Sequence, residues 1–221
     1  MRMRVKKWAR PELDECPFYV KDPAEMRGKW NRAFEKNAPV HLELGCGKGV
    51  STCLMALENP EVNYIAVDIN TSIMGVCKRN AENAYRGKRA VDNLLITNFH
   101  IEYIWKFFAP EDVIDRIYIS FCNPWDKRPK QAKHRLTHTR QLSFYREFLK
   151  DGGEIYFKTD DDTLFHDSLK YFEESGFDIS YITYDLHESG FSPNYETEHE
   201  RMFSSEGVPI KFLIAKKQPK I

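Results

Sequence analysis

Short apolar runs alternate with longer segments of helical spacing along most of the chain. The apolar runs are rich in Val, Ile, Tyr and Phe, which favours buried strands. Five of them predict strands at Val40–Leu44, Tyr64–Val67, Leu94–Ile96, Ile117–Phe121 and Ile155–Phe157. The segments between and after them predict helices at Val50–Glu58, Ser72–Tyr85, Ile101–Phe108, Thr137–Leu149 and Asp162–Ser175. This alternation predicts an α/β fold with a mostly parallel sheet and helices on both faces.

The two ends of the chain depart from this alternation. Ile179–Tyr184 and Ile210–Ala215 predict two more strands with no helix between them, which indicates a closing antiparallel pair and seven strands in all. Residues 1–36 are expected to form a basic N-terminal extension packed on a domain of residues 37–221. Residues 185–200 read as a long functional loop.

Three helix ends have local signals. Ser72 is a plausible N-cap, and Asp161 or Asp162 is expected to cap the helix after "KTDDDT". Gly152-Gly153 predicts the end of a helix after Leu149.

Charge is balanced overall but unevenly distributed. The 221 residues, 42% of them hydrophobic, suffice for one sizeable core, and 33 basic residues balance 33 acidic ones. The first ten residues, however, hold five Lys or Arg and no acid, and residues 123–140 hold six against one acid. Basic clusters with aromatic residues among them indicate a polyphosphate partner. A solvated charged surface is the alternative.

Several classes of protein are disfavoured. The five cysteines form no CxxC pair, which favours reduced thiols in the cytoplasm. No stretch approaches the roughly 20 apolar residues of a membrane span, and no apolar region comes after the basic start as in a signal peptide. "ETEHERMF" brings a histidine beside acids but lacks H-E-x-x-H spacing and any Cys, so no metal is expected.

A glycine-rich turn comes directly after the first long strand. In "LELGCGKG", Gly45 and Gly47 allow a tight turn and the close approach of a ligand, while Glu43 just before them would repel a phosphate. Asp68 ends the next strand, where a carboxylate can accept both hydroxyls of a ribose. Together these residues favour an uncharged or cationic adenosyl ligand, namely S-adenosylmethionine.

A second strand end combines a rigid turn with positive charge. Pro124 stiffens "NPW" and keeps Asn123 out of helical geometry, so that the Asn123 amide and the Trp125 indole can address a planar base. The tract behind the turn would hold the phosphates around that base through Lys127, Arg128, Lys130, Lys133, Arg135 and Arg140. This arrangement favours a nucleotide within a polynucleotide as the substrate.

The chain as a whole resembles a known family, the bacterial tRNA (guanine-N7-)-methyltransferases. The resemblance is carried by six ordered blocks: "MRMRVKKWARPEL", "MRGKWNRAF", "ELGCGKG" with "VDI", "NPWDKRPKQAKHRLTH", "GGEIYFKTDD" and "TEHERMFSSEGVPI". It implies a Rossmann-like class I methyltransferase dependent on S-adenosylmethionine and acting on tRNA at a variable-loop guanosine, position 46 of the tRNA. A monomer or a homodimer is compatible with it.

The resemblance also assigns roles to individual residues. Cofactor contacts or the reaction centre fall on Glu43, Asp68, Asn98 and Asn123, with Gly45 and Gly47 in the turn. Substrate contacts fall on Lys127, Asp160, Thr197, Glu198, His199 and Glu200. Three positions depart from the family: Asn98 and Asn123 stand where Asp is usual, and His199 replaces a Tyr.

The expected chemistry tolerates these changes. Guanine N7 has a lone pair and no hydrogen, so its methylation needs placement rather than a general base. Asn123 keeps an acceptor, and replacing a charged partner by a neutral one costs on the order of 1–2 kcal/mol.

Two alternative functions would use the same residues. An amino-methyltransferase would employ Asn123-Pro124-Trp125 on an exocyclic amine, and a non-catalytic homologue would only bind RNA.

Overall fold

The computed structural model describes residues 5–219, in which the chain forms two compact units that divide between Asp112 and Val113. Arg2 and Arg4 of the predicted basic N-terminus lie outside the described residues. No helix among residues 5–219 has the length and apolar character that crossing a membrane requires.

The first unit contains a parallel four-stranded arrangement in the order β1-β4-β3-β2. Its strands are β1 (Tyr19–Val20), β2 (Val40–Leu44), β3 (Asn63–Asp68) and β4 (Leu94–Asn98), and its helices are α1 (Ala9–Asp14), α2 (Val50–Glu58) and α3 (Thr71–Tyr85). Inward-facing residues such as Leu42, Ile65 and Ile96 are fully buried. The register pairs Leu44 with Val67 and Asp68 with Asn98, so the carboxyl ends of β2, β3 and β4 lie side by side.

The segment predicted as an N-terminal extension is fixed firmly to this unit in its described part. The buried carboxylate of Asp112 accepts hydrogen bonds from the backbone N–H groups of Gly28 (2.7 Å) and Trp30 (2.9 Å). The Trp30 ring is fully buried and stacks on Phe108 at a centroid distance of 5.2 Å. β1 then pairs with β4, which places this segment beside the strand ends of the unit.

The second unit contains the order β5-β6-β8-β7. Its strands are β5 (Ile114–Ser120), β6 (Leu149–Thr159), β7 (Phe177–Thr183) and β8 (Lys211–Lys217), and its helices are α4 (Thr139–Phe148), α5 (Asp162–Glu174) and α6 (Glu198–Ser205). β5 and β6 are parallel, and β8 is antiparallel to both of its neighbours. The predicted antiparallel closing pair is confirmed.

Two predictions about the number of elements were wrong. β1 brings the strands of the described residues to eight rather than seven, because the short "FYV" run pairs with β4 although two residues are too few to show a period. α6 lies between the last two strands of the chain, where no helix was expected. A capping box starts this helix, since Thr197 Oγ1 accepts from Glu200 N and the Glu200 carboxylate accepts from Thr197 N.

Three local predictions differ from the structure in detail. The N-cap of α3 is Asn70 rather than Ser72, and its side chain accepts from Ser72 N and Ile73 N. Gly152 and Gly153 lie inside β6, because α4 ends at Phe148 and the strand begins at the next residue. Residues Ile101–Lys106 form a 3-10 helix that is shorter than the predicted helix. The expected cap of α5 is confirmed at Asp161, whose carboxylate accepts from Leu164 N at 2.6 Å.

Candidate active site

The carboxyl ends of β2, β3 and β4 form what we term the glycine-turn end, made of Glu43, Gly45, Gly47, Asp68 and Asn98. Gly45 and Gly47 have φ angles of 84° and 55°, which L side chains rarely adopt. Apart from its chain neighbours, a Cβ atom at either position would meet no atom of residues 5–219 within 4 Å, so the turn faces open space on that side. The turn is fixed from behind, since Val67 O accepts from the N–H groups of Gly45 (2.8 Å) and Cys46 (2.9 Å).

The third glycine of the motif serves packing instead. Gly49 has a φ of 67° and a Cβ there would lie only 2.3 Å from Cys77 Sγ. Gly49 is also the N-cap of α2. It therefore brings helices α2 and α3 together, whereas Gly45 and Gly47 leave room for a ligand.

Asp68 is held in place by the turn. Its Oδ2 accepts from Gly47 N at 3.2 Å and its Oδ1 from Asn70 N at 2.9 Å. Burial raises the pKa of the Asp68 carboxyl, and the backbone donors at Asn70 and Gly47 oppose that rise. A carboxylate has about four acceptor sites, so Asp68 can also accept from neighbouring hydroxyls of a ribose.

Asn98 and Glu43 flank Asp68 at the neighbouring strand ends. Glu43 is 3% exposed, so its carboxyl group lies within the unit. Asn98 accepts a short hydrogen bond from the hydroxyl of Tyr19, and its Nδ2 lies 3.5 Å from Thr71 Oγ1. Sequence reasoning missed Tyr19. The "FYV" run between Pro17 and Lys21 was the available signal, but nothing in it pointed to Asn98.

These residues fit S-adenosylmethionine. The side-chain-free glycine turn leaves space for it, the Asp68 carboxylate suits its ribose, and the buried Glu43 suits a cationic ligand rather than a phosphate. Among residues 5–219, no group of three or more His, Cys, Asp or Glu side chains has the arrangement to hold a metal ion.

The second unit carries its own cluster, which we term the NPW end: residues 121–135, 158–160 and 194–200. β5 ends at Ser120, and Phe121 and Trp125 then adopt left-handed φ angles of 52° and 49°. Such angles cost non-glycine residues roughly 1–2 kcal/mol each. Between them Asn123 is exposed, and its Oδ1 accepts from Trp125 N at 3.0 Å. This bond uses one of the two lone pairs of the Asn123 amide oxygen.

The basic tract divides into exposed and buried cations. Lys127, Arg128, Lys130 and Lys133 are exposed. Arg135 is 3% exposed, and its guanidinium donates to Pro124 O (2.6 Å) and pairs with Asp167 Oδ2 (2.6 Å). Arg135 therefore already has partners inside the unit, and its predicted contact with RNA stays a prediction.

The residues from Thr197 to Glu200 also differ in burial. Glu200 is fully buried, and its carboxylate binds Lys158 Nζ (3.1 Å), Asn194 Nδ2 (2.7 Å) and His187 Nε2 (3.3 Å). Glu200 therefore anchors residues 187–197 to β6, and its predicted substrate contact stays a prediction. Thr197 is half-buried and begins α6 as its N-cap.

The remaining residues predicted to contact the substrate are more exposed to solvent. Glu198 and His199 are exposed on the first turn of α6, and the His199 ring stacks on Phe121 with centroids 6.1 Å apart and planes 21° from parallel. Asp160 is half-buried at the end of β6, and Lys211 Nζ is bonded to its backbone oxygen rather than its carboxylate (2.9 Å). Phe121 N donates to Lys158 O at 2.9 Å, so the turn lies directly beside the end of β6.

The α/β fold and the glycine-turn end define a Rossmann-like class I methyltransferase dependent on S-adenosylmethionine. The solved 16S rRNA (adenine(1408)-N(1))-methyltransferase of Catenulisporales acidiphilia, with its cosubstrate SAM, has a similar fold: the TM-score is 0.59 at 15% identity, over 90% of this chain and 92% of that one. A family model described as a putative methyltransferase matches residues 37–213.

Sequence relatives specify the family further. A tRNA (guanine-N(7)-)-methyltransferase of Clostridium beijerinckii is 56% identical over 98% of this chain and 99% of the relative. One from Clostridium botulinum strain Eklund 17B is 54% identical over 99% of this chain and the whole relative. The chain belongs to the tRNA (guanine-N(7)-)-methyltransferase family, as its six sequence blocks predicted.

Proposed function

We propose that this chain transfers the methyl group of S-adenosylmethionine to N7 of a guanosine in tRNA, at position 46 of the variable loop, in the cytoplasm. The observation that carries the proposal is the 56% identity, over 98% of the chain, to a relative of that name. The glycine-turn end supports it independently, because its residues suit the methyl donor.

In this proposal the chain supplies positions rather than proton transfer. S-adenosylmethionine, when bound, supplies an electrophilic methyl group. Asp68 holds the ribose, Asn98 faces the adenine and the buried Glu43 favours a cationic ligand. Pre-arranged geometry of this kind contributes roughly 7–11 kcal/mol to a two-reactant step. Guanine N7 carries a free lone pair, so no side chain is required as a base.

The NPW end recognises the nucleotide. Asn123 directs its amide donors and its remaining lone pair to the edge of the purine, and Asp160 and Glu198 accept from the guanine N1–H and N2 amine. His199, Thr197 and Lys127 complete the contacts to the nucleotide. Exposed Arg128, Lys130 and Lys133 bind the phosphates around it.

The deciding experiment is methyl transfer from labelled S-adenosylmethionine to an unmodified tRNA transcript, with digestion of the product to nucleosides. Label in 7-methylguanosine is the expected result. Label in an N6- or N4-methylated base would instead identify an amino-methyltransferase, and tight binding without transfer would identify an RNA-binding protein. A transcript with adenosine at the variable-loop position tests the site, since it should accept no label.

A further inference from the structure

We propose that Arg135 is a positioning residue that holds the Asn123-Pro124-Trp125 turn for the substrate purine and makes no contact with tRNA phosphates. The inference rests on the proposed function, because it assigns the turn to the purine. It divides the basic tract into cations that face RNA and one cation that supports the turn.

The turn needs support from outside itself. Phe121 and Trp125 are both in the left-handed region without being glycine, so the local sequence does not favour this conformation. Within the turn, Asn123 Oδ1 accepts from Trp125 N. A second bond, from Phe121 N to Lys158 O, fixes only its beginning. The carbonyl of Pro124, at the centre of the turn, is held by Arg135 Nε at 2.6 Å.

Arg135 is itself anchored from the other side. Its Nη1 pairs with Asp167 Oδ2 on α5 at 2.6 Å. Two residues further along, Thr137 Oγ1 is hydrogen-bonded to Ser168 Oγ at 2.6 Å, and both of these side chains are fully buried. The segment behind the turn is thus docked on α5 at two successive points, and the first of them, the Arg135–Asp167 pair, is bonded to the turn through Pro124 O.

The geometry requires a guanidinium. A planar fork can donate to a carbonyl in one direction and to a carboxylate in another, whereas an ammonium group is a single point charge. Arg135→Lys therefore keeps the charge but is expected to release either Pro124 or Asp167. Displacing reacting groups by about 1 Å can cost on the order of 100-fold in rate, so we expect kcat to fall roughly 10- to 100-fold.

The experiment compares three variants with the wild type in tRNA binding at several salt concentrations and in steady-state kinetics. Arg135→Lys should retain the wild-type slope of log affinity against log salt, with a lowered kcat and a nearly unchanged KM for tRNA. Lys133→Ala should reduce the slope by about 0.7–0.9, the amount for one lost phosphate contact. Thr137→Val, the matched control, should lower the melting temperature without lowering kcat at a temperature where it is folded.

A reduced salt slope for Arg135→Lys would overturn the proposal, and so would an unchanged kcat. Loss of kcat in Thr137→Val equal to that in Arg135→Lys would assign the effect to general destabilisation and would also overturn it. If Arg135→Lys does not fold, Asp167→Asn decides the same question, since it removes the anchor and should lower kcat with the salt slope unchanged. Absence of 7-methylguanosine with the wild type would refute the proposed function instead, while the slopes would still report whether Arg135 contacts phosphate.

Discussion

The glycine-turn end and the NPW end obtain their geometry in different ways. At the glycine-turn end the ligand-facing groups are strand ends and backbone, and Asp68 is fixed by N–H groups of its own turn and of the neighbouring glycine turn. At the NPW end the turn is held by a residue 11 positions further along the chain, and Arg135 in turn is held by Asp167 on α5. Local motifs therefore account for the geometry of the first region, whereas that of the second depends on partners distant in sequence.

The largest effect is expected at Glu200, the buried acid of the NPW end. Glu200→Ala leaves Lys158 without its buried counter-charge, which should lower the free energy of unfolding by about 3–5 kcal/mol. Denaturant unfolding measures this change. Exposed Glu198 on the same helix turn is the control, since Glu198→Ala should change stability by less than about 0.5 kcal/mol. Unchanged stability of Glu200→Ala, with loss of guanosine selectivity, would support the predicted substrate contact of Glu200 instead.

Asp68 tests the division of labour between the two regions. Asp68→Ala removes the acceptor of two ribose hydroxyls, and at about 1.5 kcal/mol for each charged hydrogen bond the affinity for S-adenosylhomocysteine should fall roughly 100-fold. Calorimetric titration measures this loss. tRNA affinity, measured by filter binding, should stay within about twofold, and equal losses of both affinities would argue against separate sites.

Tyr19 sharpens the account of the glycine-turn end. Tyr19→Phe removes the hydrogen bond to Asn98 and keeps the aromatic ring, so cofactor affinity should fall roughly 5- to 10-fold, equivalent to about 1 kcal/mol. Tyr85→Phe is the matched control, because Tyr85 OH donates to Asn93 Oδ1 (2.7 Å) just before the opposite end of β4. The control should lose stability only, and an equal loss of cofactor affinity in both variants would remove the specific role of Tyr19.

The exposed part of the basic tract should give a smaller, graded effect. Lys130→Ala combined with Lys133→Ala should reduce the salt slope of tRNA binding by about 1.4–1.8, since each lost phosphate contact contributes about 0.7–0.9. Cofactor affinity is the control and should not change. A slope equal to that of the wild type would mean that these side chains only face solvent.

The smallest effect near neutral pH concerns protonation of Asp68. Burial raises its pKa, so the carboxylate should take up a proton at a higher pH than an ordinary aspartate, whose pKa is about 3.9. On acidification, cofactor affinity should fall, because protonated Asp68 is a weaker acceptor for the ribose hydroxyls. The free energy of unfolding of the ligand-free protein should rise, because the folded state binds this proton more tightly than the unfolded state does. Titrations from neutral pH down towards the ordinary aspartate pKa of about 3.9 measure both trends. Asp68→Ala should abolish the pH dependence of affinity.

Much of the fold depends on residue patterns that act over short distances. The runs at Val40–Leu44 and Leu94–Ile96 lie in strands because alternating or continuous apolar residues are buried on a sheet whatever their partners elsewhere in the chain. The caps were less certain, since Asn70 and Ser72 are both good capping residues and only the structure shows which one begins α3. Two-residue β1 carries too little pattern to be predicted at all.

By itself the sequence determined the α/β class, the glycine turn with Asp68, and the family, because each depends on neighbouring residues or on ordered motifs. Only the tertiary structure decided that Arg135 and Glu200 are internal anchors while Lys133 and Glu198 are exposed. The physical reason is that a charged side chain is stable in the interior only when partners distant in sequence satisfy it, as Asp167 and Lys158 do here. The sequence alone does not show which distant residues become these partners.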